Sequence, residues 1–454
     1  MKKLVALASL ILLGTLALSA AAAGPPSTTR MSLASDGTQG DRDSYTAGVS
    51  ANGRYVLLNS EATNLVADDT NDRWDVFVRD RSSGITTRVS VSTDGAQGKP
   101  TDDPWGGSTA GAISASGRYV VFESDAPNLV PGDTNGVDDV FLHDVKTGAT
   151  TRVSVGSAGR QANGSSGFST ISADGRYVAF SSLASNLVRH DTNGLSDVFV
   201  RDLATGKTTR VSLTGRGRQA RCNLAYCEST EPALSAHGRF VAFESSATNL
   251  VPHDTNRLAD VFVRDRRTGR TTRVSVDSRG RQGGRDRTMN GSNAPAISAN
   301  GRYVAFHSAD SNLVPGDTNG VFDIFVHDRG TGRTTRVSVS TAGRQSNQES
   351  LGAPSLSADG RYVAFTSLAS NLVAGDVNDS TDAFVHDLVT GETLIASLGR
   401  DGNQGDSSSG TSGVAFSAND DLLVFSSSAS NLVSDDTNGV PDAFIRDFGG
   451  RPGS

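Results

Sequence analysis

A unit of about sixty residues is written seven times in this 454-residue chain, and a period of that length confines the fold to a stacked or toroidal array. The clearest copy runs Ser-Ala-Asp-Gly-Arg-Tyr-Val-Ala-Phe from Ser172 to Phe180. It continues with Asn186-Leu187-Val188, Asp191-Thr192-Asn193, Asp197-Val198-Phe199-Val200-Arg201-Asp202, Thr205-Gly206 and Thr208-Thr209-Arg210-Val211-Ser212. Each copy carries four strand patterns and almost nothing of helical period. The first is short and apolar and ends at serine, as in Ala112-Ile113-Ser114 and Ala296-Ile297-Ser298. The second, Arg-Tyr-Val-x-Phe, follows an Asp-Gly, Asn-Gly or Ser-Gly hairpin signal. The third is the Asp75 to Asp80 and Asp323 to Asp328 type, and the fourth, Thr-Thr-Arg-Val-Ser, follows a turn where glycine supplies a positive φ.

The middle strands are apolar on both alternating sets, Tyr177 and Ala179 against Val178 and Phe180. Burial of both faces is what a sheet sandwiched between neighbours requires, as in a propeller. Seven units of four strands therefore predict an all-β, seven-bladed propeller of antiparallel sheets. An isolated fourth-strand sequence, Thr28 to Ser32, precedes the first unit, and the last unit stops after its third strand, Asp442 to Asp447. The early strand is thus expected to complete the last blade and remove an exposed edge.

The Ser-Ala-Asp-Gly-Arg-Tyr-Val-Ala-Phe and Asp-Val-Phe-Val-Arg-Asp-Leu-x-Thr-Gly runs resemble the TolB-type, WD-like propeller repeat of bacterial envelope proteins. The resemblance implies a propeller and an envelope setting. The founding member of that family joins a six-bladed ring to a separate N-terminal α/β domain, for which this chain has no room, and the chain has one unit more. That protein's partner is therefore not carried over, and a propeller by itself does not fix an activity.

Residues 1–23 read as a secretory signal peptide: Lys2 and Lys3, an apolar run from Leu4 to about Leu18, then Ala21-Ala22-Ala23. Residues 24–454 are then one propeller domain, secreted or periplasmic. No later stretch has the roughly twenty apolar residues of a membrane span. Formal charge is −7, and −9 once the two leader lysines are removed, which argues against nucleic-acid binding. A monomer is expected. The only cysteines, Cys222 and Cys227, share one loop and read as a local disulfide in an oxidising compartment.

All long segments fall at one end of the blades, where the loops between second and third strands and the crossovers to the next blade lie. Binding residues concentrate on such loops. Trp105, Arg218, Arg221, Tyr226, Arg281, Arg285 and Arg287 lie in the crossovers and suggest a patch for an anionic protein or a cell-wall polymer, against the plainer reading of solvated arginines and packed aromatics.

Asp-x-Asn-x-x-x-Asp recurs in every unit: Asp69, Asn71, Asp75; Asp133, Asn135, Asp139; Asp191, Asn193, Asp197; Asp254, Asn256, Asp260; Asp317, Asn319, Asp323; Asp376, Asn378, Asp382; Asp436, Asn438, Asp442. Alternating oxygens near glycine resemble the start of a calcium loop, though the acid at position twelve is missing. Asx turns explain the same residues without a metal. Catalysis should break the repeat, and no unique nucleophile or zinc-like pair does so. The expectation is a non-catalytic binding or scaffold propeller. The alternatives are a carbohydrate-active enzyme with carboxylates converging at the central channel, Glu228, Glu231 and Glu349 among them, and a calcium-stabilised module.

Overall fold

The computed structural model describes residues 25–104, 106–222, 227–284 and 291–453. The signal-peptide segment, Trp105, Tyr226, Arg285 and Arg287 therefore lie outside the described residues. Strand β1 (Ser27–Arg30) comes first. Blade one follows as β2–β5 (Ser44–Val49, Tyr55–Ser60, Asp75–Asp80, Ile85–Arg88) and blade two as β6–β9 (Ser108–Ile113, Tyr119–Ser124, Asp139–Asp144, Ala149–Arg152). Blade three is β10–β13 (Ser166–Ile171, Tyr177–Ser182, Asp197–Asp202, Lys207–Arg210) and blade four β14–β17 (Ser229–Leu234, Phe240–Ser245, Asp260–Asp265, Arg270–Arg273). Blade five is β18–β21 (Ser292–Ile297, Tyr303–Ser308, Asp323–Asp328, Arg333–Arg336) and blade six β22–β25 (Ser350–Leu356, Tyr362–Ser367, Asp382–Asp387, Thr393–Ile395). Blade seven holds β26–β28 (Ser409–Phe416, Leu422–Ser427, Asp442–Asp447) and takes β1 as its fourth strand, in the order β1-β28-β27-β26. The fold is an all-β, seven-bladed propeller without helices among the described residues.

Burial on both faces of the middle strands is met in full. Val178, Ala179, Phe180, Val198, Phe199 and Val200 are all fully buried, and Phe180 lies opposite Phe199 with ring centroids 5.9 Å apart. Each hydrophobic cluster joins two blades rather than lying within one. Val121, Val140 and Leu142 of blade two pack with Ile171, Val178 and Phe180 of blade three, and Met31, Val56, Leu58 and Phe77 pack with Leu422, Val424 and Ile445 across the closure. Thr29 pairs with Ile445, and the Met31 N–H donates to the Ala443 carbonyl at 2.7 Å, so the ring is latched as expected.

The hairpin glycines are fixed by packing as well as by φ. A Cβ on Gly117 (φ 74°) would stand 2.1 Å from the Tyr55 ring of the preceding blade, so this turn is both left-handed and a seat for an aromatic side chain. In blades one to six the aspartate closing the third strand anchors the next turn and an arginine at once. Asp80 accepts from the Ser82 N–H at 3.0 Å and from Arg54 through both carboxylate oxygens.

The inner strands begin earlier than their apolar Ser-terminated triplets suggest and are richer in small residues. A Cβ on Gly111 would come within 2.2 Å of Ser169 Oγ, which shows how tightly adjacent inner strands converge. All seven inner strands shift register against their partners, and Phe168, Glu231 and Ala294 take positive φ there. Each inner strand is also stitched to the blade before it, for example by Ser108 N–H to the Trp74 carbonyl at 2.8 Å and Ser166 N–H to the Asp138 carbonyl at 2.9 Å.

Candidate functional site

The repeated Asp-Asn-Asp loops converge on an arginine from the fourth strand of the same blade. Cross-strand pairing of Phe199 with Arg210 brings the guanidinium beneath the loop, where Nη1 lies 2.9 Å from Asp191 and 2.8 Å from Asp197. Asn193 donates to Asp197 at 2.9 Å, Ser212 donates to its other oxygen, and Gln219 of the crossover donates to Thr192 at 2.8 Å. The same set recurs with Arg88, Arg152, Arg273 and Arg336. Blade seven draws Arg30 from β1, 3.9 Å from Asp436 and 3.6 Å from Asp442. Blade six differs: Ile395 stands at the arginine position, opposite Phe384, and Gln404 Nε2 donates to both Asp376 and Asp382, at 2.7 and 2.8 Å. Among the described residues no three His, Cys, Asp or Glu side chains gather closely enough to hold a metal. A side-chain cation thus stands between the paired carboxylates in six blades.

Of the crossover residues, Arg218, Arg221 and Arg281 are exposed, and Arg281 is paired with Asp277 at 2.6 Å. Cys222 and Cys227 form a disulfide with Cα atoms 6.0 Å apart. None of these three arginines lines the central cavity.

That cavity, about 1370 Å³, opens at the loop-rich end and is walled by the starts of the inner strands and the ends of the second strands. Here the repeat is broken. The residue before the closing serine of each second strand is Asn59, Glu123, Ser181, Glu244, His307, Thr366 or Ser426, and the residue before each third strand is Trp74, Asp138, Ser196, Ala259, Phe322, Thr381 or Pro441. The first five of the former and the first three of the latter line the cavity. Two of them latch to the next blade, Asn59 accepting from Ala110 N–H at 2.8 Å and Glu123 from Ser169 N–H at 2.6 Å, and Glu231 of the inner strand β14 accepts in the same way from Ala294 N–H at 3.0 Å. The bulged inner strands supply these N–H groups.

One backbone bond leaves a carboxyl group with acceptor capacity to spare. Burial pushes the Glu123 carboxyl up to about 7, partly offset by its bonds from Ser169. Glu231 and Glu244 stand within hydrogen-bonding reach of each other, and burial raises both, with the charge of Glu231 adding to the rise at Glu244. The titration of each therefore depends on the other. His307 is held on both ring nitrogens, 2.9 Å from the Ser350 carbonyl and 2.7 Å from the Asn293 amide, and stacks on Phe322 at 4.3 Å. Burial lowers it to about 4, so it is neutral at pH 7. Tyr45 and Trp74 stack at 5.5 Å on one wall, while Phe168 and Leu183 on another are 60% and 59% exposed. Glu228 and Glu231 lie where the enzyme reading needs them, although Glu231 belongs to β14 and not to a crossover loop; Glu349 is exposed and outside the cavity lining.

No protein-family model matches the chain, and no curated protein matches it. Solved structures do. An oligogalacturonate lyase from Vibrio parahaemolyticus superposes with a TM-score of 0.51 at 12% identity, over 93% of this chain and 97% of that one. An oligogalacturonate lyase in complex with manganese gives 0.50 at 13%, over 93% and 96%. TolB from Acinetobacter baumannii gives 0.40 at 13%, over 78% of this chain and 62% of that one. The two lyase superpositions show a shared propeller fold. This chain spans about three fifths of that TolB chain's length, and identities this low speak to fold alone.

Proposed function

We propose that this protein is a secreted, non-catalytic binding propeller that holds its partner at the loop-rich mouth of the central channel. The observation that carries this reading is where the symmetry fails. Strand after strand is repeated seven times, yet the side chains directed at this one cavity differ from blade to blade. A scaffold residue needed by each blade recurs in each blade, whereas a ligand without sevenfold symmetry calls for differing contacts. A stacked aromatic pair, convergent polar groups and a preformed concavity are what small-molecule or peptide sites use. The reading of the leader at residues 1–23 supports export. The test is a screen of the mature protein on glycan and peptide arrays, repeated with Trp74→Ala. Hits that vanish in the variant support the site; hits retained in full place the binding surface elsewhere.

A carbohydrate-active enzyme is the second reading, and the Glu231–Glu244 pair favours it, since buried carboxyls with raised pKa serve as general acids. The fold neighbours suggest oligogalacturonate as the first substrate to try. Against it, the described cavity lining contains no lysine or arginine to hold a uronate carboxylate. Incubation with oligogalacturonate and chromatography of the products decides. Calcium stabilisation is the third reading and would act at blade six, where no arginine separates Asp376 from Asp382. Unfolding midpoints in calcium and in chelator test it, because a ligand specific to the native state must raise stability.

A further inference from the structure

Carboxylates elsewhere in this molecule are matched by arginine with unusual regularity. The loop aspartates have Arg88, Arg152, Arg210, Arg273 and Arg336, and the strand-end aspartates have Arg54, Arg118, Arg176, Arg239, Arg302 and Arg361. The channel mouth departs from this rule. Glu123, Asp138, Glu228, Glu231 and Glu244 all line it; among the described residues none of them ion-pairs with an arginine or lysine, and the described lining contains neither residue type. The one basic group in the described lining, His307, is neutral and engaged on both nitrogens.

Two further features bear on what completes the site. Ser181, 3% exposed and part of the cavity wall, has a hydroxyl with no partner among the described residues, a buried polar atom left unsatisfied in the cavity wall. Phe168 and Leu183, among the few exposed large apolar residues of the ring, flank the same opening, and the Tyr45–Trp74 stack stands on its wall. Carboxylates beside aromatic faces and aliphatic surface match a cation carried on an apolar arm, through charge-assisted hydrogen bonds and cation–π contact. An anionic ligand would meet carboxyl groups and, among the described residues of the lining, no counter-charge. A neutral sugar would use the aromatic stack but leave the carboxyl groups without a cation.

From this juxtaposition we infer that the ligand of the channel mouth is an organic cation, an ammonium or guanidinium group on an aliphatic arm. The inference rests on the channel mouth being the binding site and adds the chemistry of what enters. Glu231 and Glu244 receive the charged head, Glu123 stands on the neighbouring wall, and Phe168 and Leu183 cover the arm. The shared chemistry can come from a lysine or arginine of a peptide or from a free polyamine.

The test uses the mature protein at low ionic strength with three probes: hexa-arginine, hexa-citrulline, which replaces each guanidinium by a neutral urea, and spermine. Titration calorimetry is expected to show hexa-arginine bound at least roughly tenfold more tightly than hexa-citrulline, the loss anticipated when a charge-assisted bond becomes a neutral one. The double variant Glu231→Gln/Glu244→Gln is expected to lose a similar factor, and Glu123→Gln, checked for an unfolding midpoint no lower than the parent's, a smaller one. Spermine that binds and competes assigns the site to amines in general; hexa-arginine that binds while spermine does not assigns it to a peptide. Equal binding of the citrulline peptide, or hexa-arginine binding that the glutamine variants leave intact, overturns the inference. Binding of a neutral oligosaccharide that Trp74→Ala abolishes, with no cation bound, overturns the cation while leaving the channel site standing. No binding that responds to any channel variant overturns both.

Discussion

Replacing Arg210 with methionine removes the guanidinium from between two buried carboxylates while keeping most of the side-chain volume. The arginine side chain is 8% exposed, Asp191 5% and Asp197 0%, at 2.9 and 2.8 Å. Asp197 keeps its bonds from Asn193 and Ser212, but its negative charge and that of Asp191 are left facing each other without a cation. Breaking a buried pair from one side costs roughly 3–5 kcal/mol. Unfolding entropy of about 2.1 cal/mol/K per residue, over about 430 residues, converts that to a fall of roughly 3–6 °C in midpoint if the ring melts as one unit. Differential scanning calorimetry reads it directly. Adding Asp191→Asn removes the repulsion and should restore part of the loss, which a double-mutant cycle isolates. A shift below about 1 °C for Arg210→Met, or a double variant no better than the single, refutes the view that these loops are held by arginine.

Blade six permits the converse experiment. Ile395→Arg places a guanidinium by Asp376 and Asp382, and it should raise the midpoint by an amount equivalent to about 1 kcal/mol; a fall would mean that blade six lacks space for the arginine. Glu123 predicts a pH effect. Its pKa is raised by burial to about 7 from 4.5, so the folded state retains a proton that the unfolded state releases, and stability falls as pH rises through that window. Glu123→Gln, which cannot ionise, should match the parent near pH 4, below the unfolded value, and exceed it by roughly 3 kcal/mol near pH 8, measured by denaturant titration; parallel pH profiles would contradict the assignment. Deleting residues 25–32 removes β1, buried Met31 and Arg30 and bares the edge of β28; a loss on the order of 5 kcal/mol and concentration-dependent association in sedimentation are expected, and an unchanged monomer of equal stability would deny the latch.

The strands were legible because each carries its own signal: Arg-Tyr-Val-x-Phe after a glycine turn, Asp-Val-Phe-Val closed by aspartate. The pairing of the chain's two ends was legible for the same reason, since Thr28 to Ser32 has no other blade to join. The partner of the Asp-Asn-Asp loops was harder to see. Arg210 lies thirteen residues beyond Asp197 and reaches it only through the pairing of β12 with β13, so a search within the loop finds oxygens and suggests calcium. Glu123, Glu244 and Trp74 are hard to single out in the sequence because they sit inside or beside strands that are otherwise repeated. The signal was present: one variable position between an apolar residue and a fixed serine, and another just before each third strand. The bulges that aim inner-strand N–H groups at these side chains have no counterpart signal, since Phe168, Glu231 and Ala294 are not residues that favour positive φ.

The proposed function and the proposed ligand both require a partner to be held at the channel mouth. A crystal structure of the mature protein grown with hexa-arginine tests this most directly. Density for the peptide against Glu231, Glu244 and the Tyr45–Trp74 stack is the predicted result. Peptide bound on the outer surface of the ring, with solvent alone between the inner strands, would contradict it.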